Sequence, residues 1–255
     1  MDLKYLIWFS CGVTSAVAGK LAANKYGIEN CHFAYIKINS AHKDNERFLA
    51  ECEKWYGAKI HIYQSGKYKD QFDVMIDKKF INSPFGAPCT LELKKKVRQQ
   101  IEKEVNYCGQ IFGFEFEKKE INRAIRFEEQ YPNSKPIFPL IENRLSKPEC
   151  LAILESAGIE RPQMYKQGYH NNNCIGCVKG GMGYWNKIRV DFPDIFQKMI
   201  DVEEYVGATA LKKPLKDLTL DDGRHEPPVV PSCGLFCQVE FEDIISDKVS
   251  KIING

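Results

Sequence analysis

The chain has 255 residues, 44% of them hydrophobic and 27% charged, the composition of an ordinary folded protein with room for a sizeable core. A formal charge of +2 excludes a polybasic nucleic-acid coat, although a local basic groove remains compatible with it. The opening "MDLKYLIWFS" has too short an apolar run for a secretory signal, and no stretch is apolar for long enough to cross a bilayer. A cytoplasmic location without membrane contact is therefore expected.

Residues 4–9 (KYLIWF) and 31–38 (CHFAYIKI) are apolar, aromatic and β-branched, as buried parallel strands are. Between them, 15–26 places Ala18, Leu21, Ala22 and Tyr26 at helical spacing. The pattern repeats. "DNERFLAECEKWYG" predicts a helix with Phe48, Leu49, Cys52 and Trp55 on one stripe, stopped by Gly57. "KIHIY" predicts a strand, "TLELKKKVRQQIEKEV" a basic helix, and "GQIFGFEF" a further strand. "EKKEINRAIRFEEQY" predicts an amphipathic helix ended before Pro132, and "KPIFPLIE" a last short strand. Such alternation predicts an α/β, Rossmann-like doubly wound parallel sheet over residues 1–142.

From 143 to 255 the composition changes, and a second region is expected. "SKPECLAILESAGI" predicts a helix capped by Ser146 and ended by Gly158. Then come "KQGYHNNNCIGCVKGGMGYWNK" and "LTLDDGRHEPPVVPSCGLFCQ", read as long loops stapled by their cysteines.

At the first strand-to-helix turn, Ser10-Cys11-Gly12-Val13-Thr14-Ser15 makes an anion site on elementary grounds. The first helical N–H groups lack intrahelical partners, Gly12 permits close approach, and the hydroxyls add donors. An unliganded helix cap is the competing reading. Lys94, Lys95, Lys96 and Arg98 form a basic face, which solvation alone would explain. Glu120 and Arg123 stand one helical turn apart, either as a surface ion pair or with Arg123, beside Arg126, over an anionic substrate.

Of the ten cysteines, Cys11, Cys31, Cys52, Cys108 and Cys150 are isolated and read as small apolar residues. Cys174 and Cys177 form Cys-x-x-Cys, while Cys233 and Cys237 form Cys-x-x-x-Cys. Two such pairs predict a four-thiolate metal site, holding zinc or an iron–sulfur cluster. A redox dithiol is the alternative for the first pair.

"FSCGVTSAVAGKLA" resembles the PP-loop of the adenine nucleotide α-hydrolase-like superfamily, usually Ser-Gly-Gly-x-Asp-Ser. Ser10, Gly12 and Ser15 match, whereas Cys11 replaces a Gly and Thr14 the Asp. "INSAHKDNERFLAECEKWYGAKIHIY", "PCTLELKKKV", "GFEFEKKEINRAIRF" and the segment from "PLIENRLSKPEC" to "NNNCIGC" resemble, in order, elements of the phosphoadenylylsulfate (PAPS) reductase-like family. The resemblance implies binding of ATP with Mg²⁺, or of a sulfonucleotide (PAPS or APS), by residues 10–15. Asn39 and Ser40 at the second strand's end, Lys94, Glu120 and Arg123 would complete the nucleotide site. It implies adenylation of an acceptor, with release of AMP and pyrophosphate, for sulfur or nitrogen transfer. The acceptor would be a tRNA or DNA base or a small molecule, and a sulfur donor a further partner.

"SCGLF" is similar to the reductases' Glu-Cys-Gly-Leu-His tail, which makes Cys233 an alternative nucleophile for sulfonucleotide reduction with a thioredoxin-like reductant. The cluster-bearing members also make Cys89 an alternate ligand, in a 4Fe–4S or Zn²⁺ site. A non-catalytic nucleotide sensor is the reading from another class, and self-association is compatible with all three.

Overall fold

Apolar runs become central strands here because helices pack against both faces of the sheet. The computed structural model describes residues 3–224. Strands β1 (Lys4–Phe9), β2 (Cys31–Ile36), β3 (Ile60–Tyr63), β4 (Tyr107–Ile111) and β5 (Pro136–Ile137) pair in the order β3-β2-β1-β4-β5, every pair parallel. Helices α1 (Val13–Tyr26) and α2 (Asn45–Tyr56) follow β1 and β2. Next come α3 (Gln71–Lys78) and α4 (Lys96–Glu104), then α5 (Lys118–Gln130) between β4 and β5. Beyond β5 lie α6 (Pro139–Glu142), α7 (Lys147–Ser156), α8 (Gln163–Lys166), α9 (Met182–Asp191) and α10 (Pro193–Val206). The protein is thus α/β, with a five-stranded all-parallel sheet flanked by helices and compatible with a Rossmann-like fold.

On one face, Ile7, Phe9, Phe33 and Ile111 share a core with α1, α2 and α7, where Val17, Phe48 and Leu151 are buried. On the other, Leu6 and Ala34 pack against Val97 and Ile101 of α4. A separate core joins Phe72 and Met75 of α3 to Trp185 and Ile188 of α9 and to Met199 and Val202 of α10.

The strand expected over 109–116 ends at Ile111, because Phe112, Phe114 and Phe116 turn inward against Ile121 and Ala124 of α5. The helix expected over 90–105 opens with a π turn at Thr90–Lys95 before α4 begins. That widened turn buries Leu93 against Ile38, Tyr68 and Val74 while Lys94 and Lys95 face solvent. Ser146 and Glu149 form the predicted start of α7 as a reciprocal capping box.

The loop expected over 166–187 gives way to helix at Met182, and the region from 143 is more helical than its Gly and Asn content suggests. Trp185 at the centre of the second core supplies the reason, since its burial outweighs weak local propensity. Buried Glu203 accepts from the Ala210 and Leu215 N–H groups, each at 2.7 Å, and so holds the chain beyond α10. Among the described residues, no helix is long and apolar enough to cross a membrane.

His32 on β2 carries a pH dependence. Its ring stacks on His61 at 4.2 Å and its Nε2 lies 2.9 Å from the Tyr63 hydroxyl. Burial first, then the positive charge of His61 and of Lys4, pushes its pKa down to about 4. The unfolded chain therefore takes up the proton first as pH falls, so stability present above about pH 6.5 is lost progressively toward pH 4. Thermal unfolding midpoints should fall between pH 7 and pH 5, and His32→Gln should flatten that dependence.

Candidate functional site

The strand order reverses between β1 and β4, which opens a crevice at their carboxyl ends. The turn from β1 into α1 lies there. Cys11 adopts φ 57°, the left-handed region that costs a non-glycine residue about 1 kcal/mol. This is a physical reason for a glycine at such a position. The Cys11 side chain is wholly buried, with Sγ 3.8 Å from the Asn45 carbonyl, and burial pushes its thiol up to about 12. It packs rather than reacts.

Ser15 closes the loop on itself. Its Oγ accepts from the Ser10 N–H and from the Ser10 hydroxyl, both at 3.0 Å, and donates to the Gly12 carbonyl at 2.9 Å. Its hydroxyl proton is thereby engaged inside the turn. Gly12 is the extended N-cap of α1, and the Val13 amide faces the buried Tyr165 hydroxyl. The Thr14 and Ser15 N–H groups have no hydrogen-bond partner among the described residues. They remain as the donors available to an anion.

The opposite wall follows β4. A Cβ at Gly113 would lie 2.6 Å from Ser15 Cα and 2.7 Å from Ser15 N, so only glycine lets this wall approach the turn. Two residues on, Glu115 pairs with Lys147 at 3.1 Å, the side chains being 12% and 8% exposed. Lys147 Nζ also donates to Asn171 Oδ1 at 3.1 Å. The neighbouring Asn172 Nδ2 donates to the Cys11 carbonyl at 2.6 Å and to Asn45 Oδ1 at 2.8 Å.

That segment carries the cysteines to the same pole. The Ile175 N–H donates to the Ser40 carbonyl at 2.8 Å, and Gln71 Nε2 donates to the Ile175 carbonyl at 2.8 Å. Ser40 Oγ donates to Gln71 Oε1, so Ser40 buttresses the Cys-x-x-Cys turn. Gly176 adopts φ 75°, and the Tyr184 hydroxyl accepts from the Cys177 N–H at 3.0 Å and donates to the Cys174 carbonyl at 3.1 Å.

Cys89 lies within electrostatic reach of both thiols. Burial, reinforced by Cys177 and Cys174, pushes it up to about 11, while Lys94 and Lys179 act in the opposite sense. Burial also raises Cys177. All three thiols are free. Among the described residues no group of three or more His, Cys, Asp or Glu side chains is placed to hold a metal ion. Cys233 and Cys237 lie outside the described residues.

Asn39 is exposed, its N–H donating to the Lys69 carbonyl at 3.1 Å. Beside it a cleft of about 360 Å³ is lined by Tyr35, Lys37, His42, Lys43, Asn45 and Leu49, among others. Arg123 pairs with Glu120 at 3.1 Å and stands 4.3 Å from the ring centre of Phe114, over the wall that follows β4. Arg126 donates to the Asn122 carbonyl at 3.2 Å. No hydrogen bond joins Glu120 or Arg123 to residues 10–15.

Asn45, Glu115, Lys147, Tyr165 and Asn172 carry no motif in the sequence, and the Asn171–Asn173 run before Cys174 is a signal that could have pointed to Asn172 alone. Fold and site together define an α/β protein whose anion-ready turn shares one pole with three thiols. No protein-family model, curated protein or solved structure matches the chain.

Proposed function

We propose that the chain is a PP-loop nucleotide-binding enzyme of the PAPS reductase-like kind, one that adenylates an acceptor for sulfur or nitrogen transfer. The hydrogen bond from Asn172 to the Cys11 carbonyl carries this reading, because it ties the segment bearing Cys174 and Cys177 to the phosphate-binding turn. A phosphate seated on the Thr14 and Ser15 N–H groups would have the thiol-bearing segment beside it. An acceptor oxygen attacks the α-phosphorus of ATP, the bond to the β-phosphate oxygen breaks, and pyrophosphate leaves. A sulfur or nitrogen nucleophile then displaces AMP. Developing charge would be met by the free N–H groups, by Lys94 and Arg123, and by Mg²⁺ carried on the phosphates.

Cys174 and Cys177, with Cys89 or with Cys233 and Cys237, would hold zinc or an iron–sulfur cluster, which would supply a structural staple or sulfur and redox chemistry respectively. Two measurements test the reading. Titration calorimetry with ATP and Mg²⁺ should show one site, and bulk tRNA or single-stranded DNA as acceptor should elicit AMP and pyrophosphate. Absence of ATP binding overturns it, and ATP binding without turnover on any acceptor leaves a sensor in its place. Anaerobic purification should yield about one zinc or one cluster per chain. Metal-free protein with every thiol titratable refutes the metal assignment.

A further inference from the structure

The turn at 83–86 takes no part in the nucleotide chemistry above, and its edge of the site shares only Lys94 with it. Ser83 and Gly86 exchange backbone hydrogen bonds of 2.8 and 3.0 Å, closing a tight turn with Pro84 and Phe85 at its tip. Asn82 fixes the turn to the cysteine segment, since its Nδ2 donates to the Val178 carbonyl at 2.8 Å and to the Ala210 carbonyl at 3.0 Å. Val178 follows Cys177 directly, and Cys89 lies four residues beyond Phe85. The Phe85 ring is nevertheless fully exposed, at 101%. A phenyl ring held in water on an anchored turn adds nothing to the core, and it offers a flat apolar face.

The segments that hold that edge carry cations: Lys179 follows Val178, to which Asn82 is bonded, and Lys94 and Lys95 follow Leu93, which packs with Cys89 and Cys174. The nearby Glu92 is occupied by Lys96 at 2.8 Å and Lys78 at 3.8 Å. Lys94, Lys95 and Lys179 form no ion pair among the described residues. An exposed stacking face on segments that also carry unneutralised ammonium groups matches an unpaired base with its neighbouring phosphates. Duplex DNA hides its base faces, and an acidic protein surface would satisfy the lysines but not the ring.

We propose that Phe85, Lys94 and Lys179 form a docking surface for a single-stranded nucleic acid, with one base stacked on Phe85 and the flanking phosphates on the lysines. The strand would then present an adjacent base to the thiols beside residues 10–15. This rests on the transfer reading above and names its acceptor class.

The test is fluorescence anisotropy of the full chain with end-labelled RNA of about 12 nucleotides, the same sequence as DNA, and its duplex. Salt is varied from about 50 to 200 mM. One of the single strands should bind more tightly than the duplex, and more weakly as salt rises; which strand does so decides between RNA and DNA. Phe85→Ala should weaken binding by about fivefold or more with an unchanged thermal midpoint. Lys94→Ala and Lys179→Ala should each reduce the salt slope by about 0.7. Equal binding of duplex, unaltered affinity in Phe85→Ala, or loss of a dimer on that substitution overturns the proposal. A chain that binds ATP but neither strand overturns this surface alone, whereas one that fails to bind ATP overturns the transfer reading beneath it.

Discussion

Gly113→Ala should abolish the ATP binding proposed above and lower stability by about 1–3 kcal/mol, the usual cost of forcing an extra methyl into a packed contact. The added carbon would meet the Ser15 backbone at 2.6 to 2.7 Å, and a backbone cannot swing aside as a flexible side chain can. Either the β4 wall retreats or the turn at 10–15 shifts, and both move the Thr14 and Ser15 N–H groups. Gly66→Ala is the matched control, because nothing lies within 4 Å of a Cβ there. Calorimetric ATP titration and thermal unfolding of the two variants read the difference. Wild-type affinity in Gly113→Ala would show that the close approach has no role in binding.

Lys147→Met should cost about 3–5 kcal/mol, because it strands the buried Glu115 carboxylate without its partner. In a chain of this size that corresponds to a drop of roughly 10 °C in the unfolding midpoint. ATP affinity should fall as well, since Lys147 also holds Asn171, and the adjacent Asn172 binds the Cys11 carbonyl. The double variant Glu115→Leu with Lys147→Met removes both charges and should recover much of the stability. It should not recover the affinity, because the contact to Asn171 stays lost. A double variant no more stable than Lys147→Met would show that the stranded Glu115 carboxylate is not what the single substitution costs.

Much of the sheet was legible because strand and helix are written locally. Apolar β-branched runs at 4–9 and 31–36, the stripe from Phe48 to Trp55, and the Ser146 cap each encode their element within a few residues. The turn from Ser10 to Ser15 was legible as an anion-ready corner for the same reason. Helices α3 and α9 were not. The Asp70 cap of α3 accepts from Phe72 and Asp73, a signal that lay between two segments of clearer periodicity. Helix α9 follows two glycines and is stabilised mainly by burial of Trp185, which local propensity does not register.

The site was legible only in its pieces. Ser15 appeared as a phosphate donor in sequence, yet the folded turn spends its proton on the Gly12 carbonyl. Cys11 stood out as a substitution at a usual glycine, and the structure shows the strained backbone that glycine would relieve. By itself the sequence determined the alternation of strands and helices, the small-residue turn after β1 and the presence of a Cys-x-x-Cys turn. Tertiary structure alone decided that Gly113 abuts Ser15, that Glu115 meets Lys147, and that Cys89 comes near Cys174 and Cys177. Periodicity reports only which face of an element is apolar. Contacts between residues dozens of positions apart depend on strand order and helix packing, which bring the ends of separate strands to one crevice.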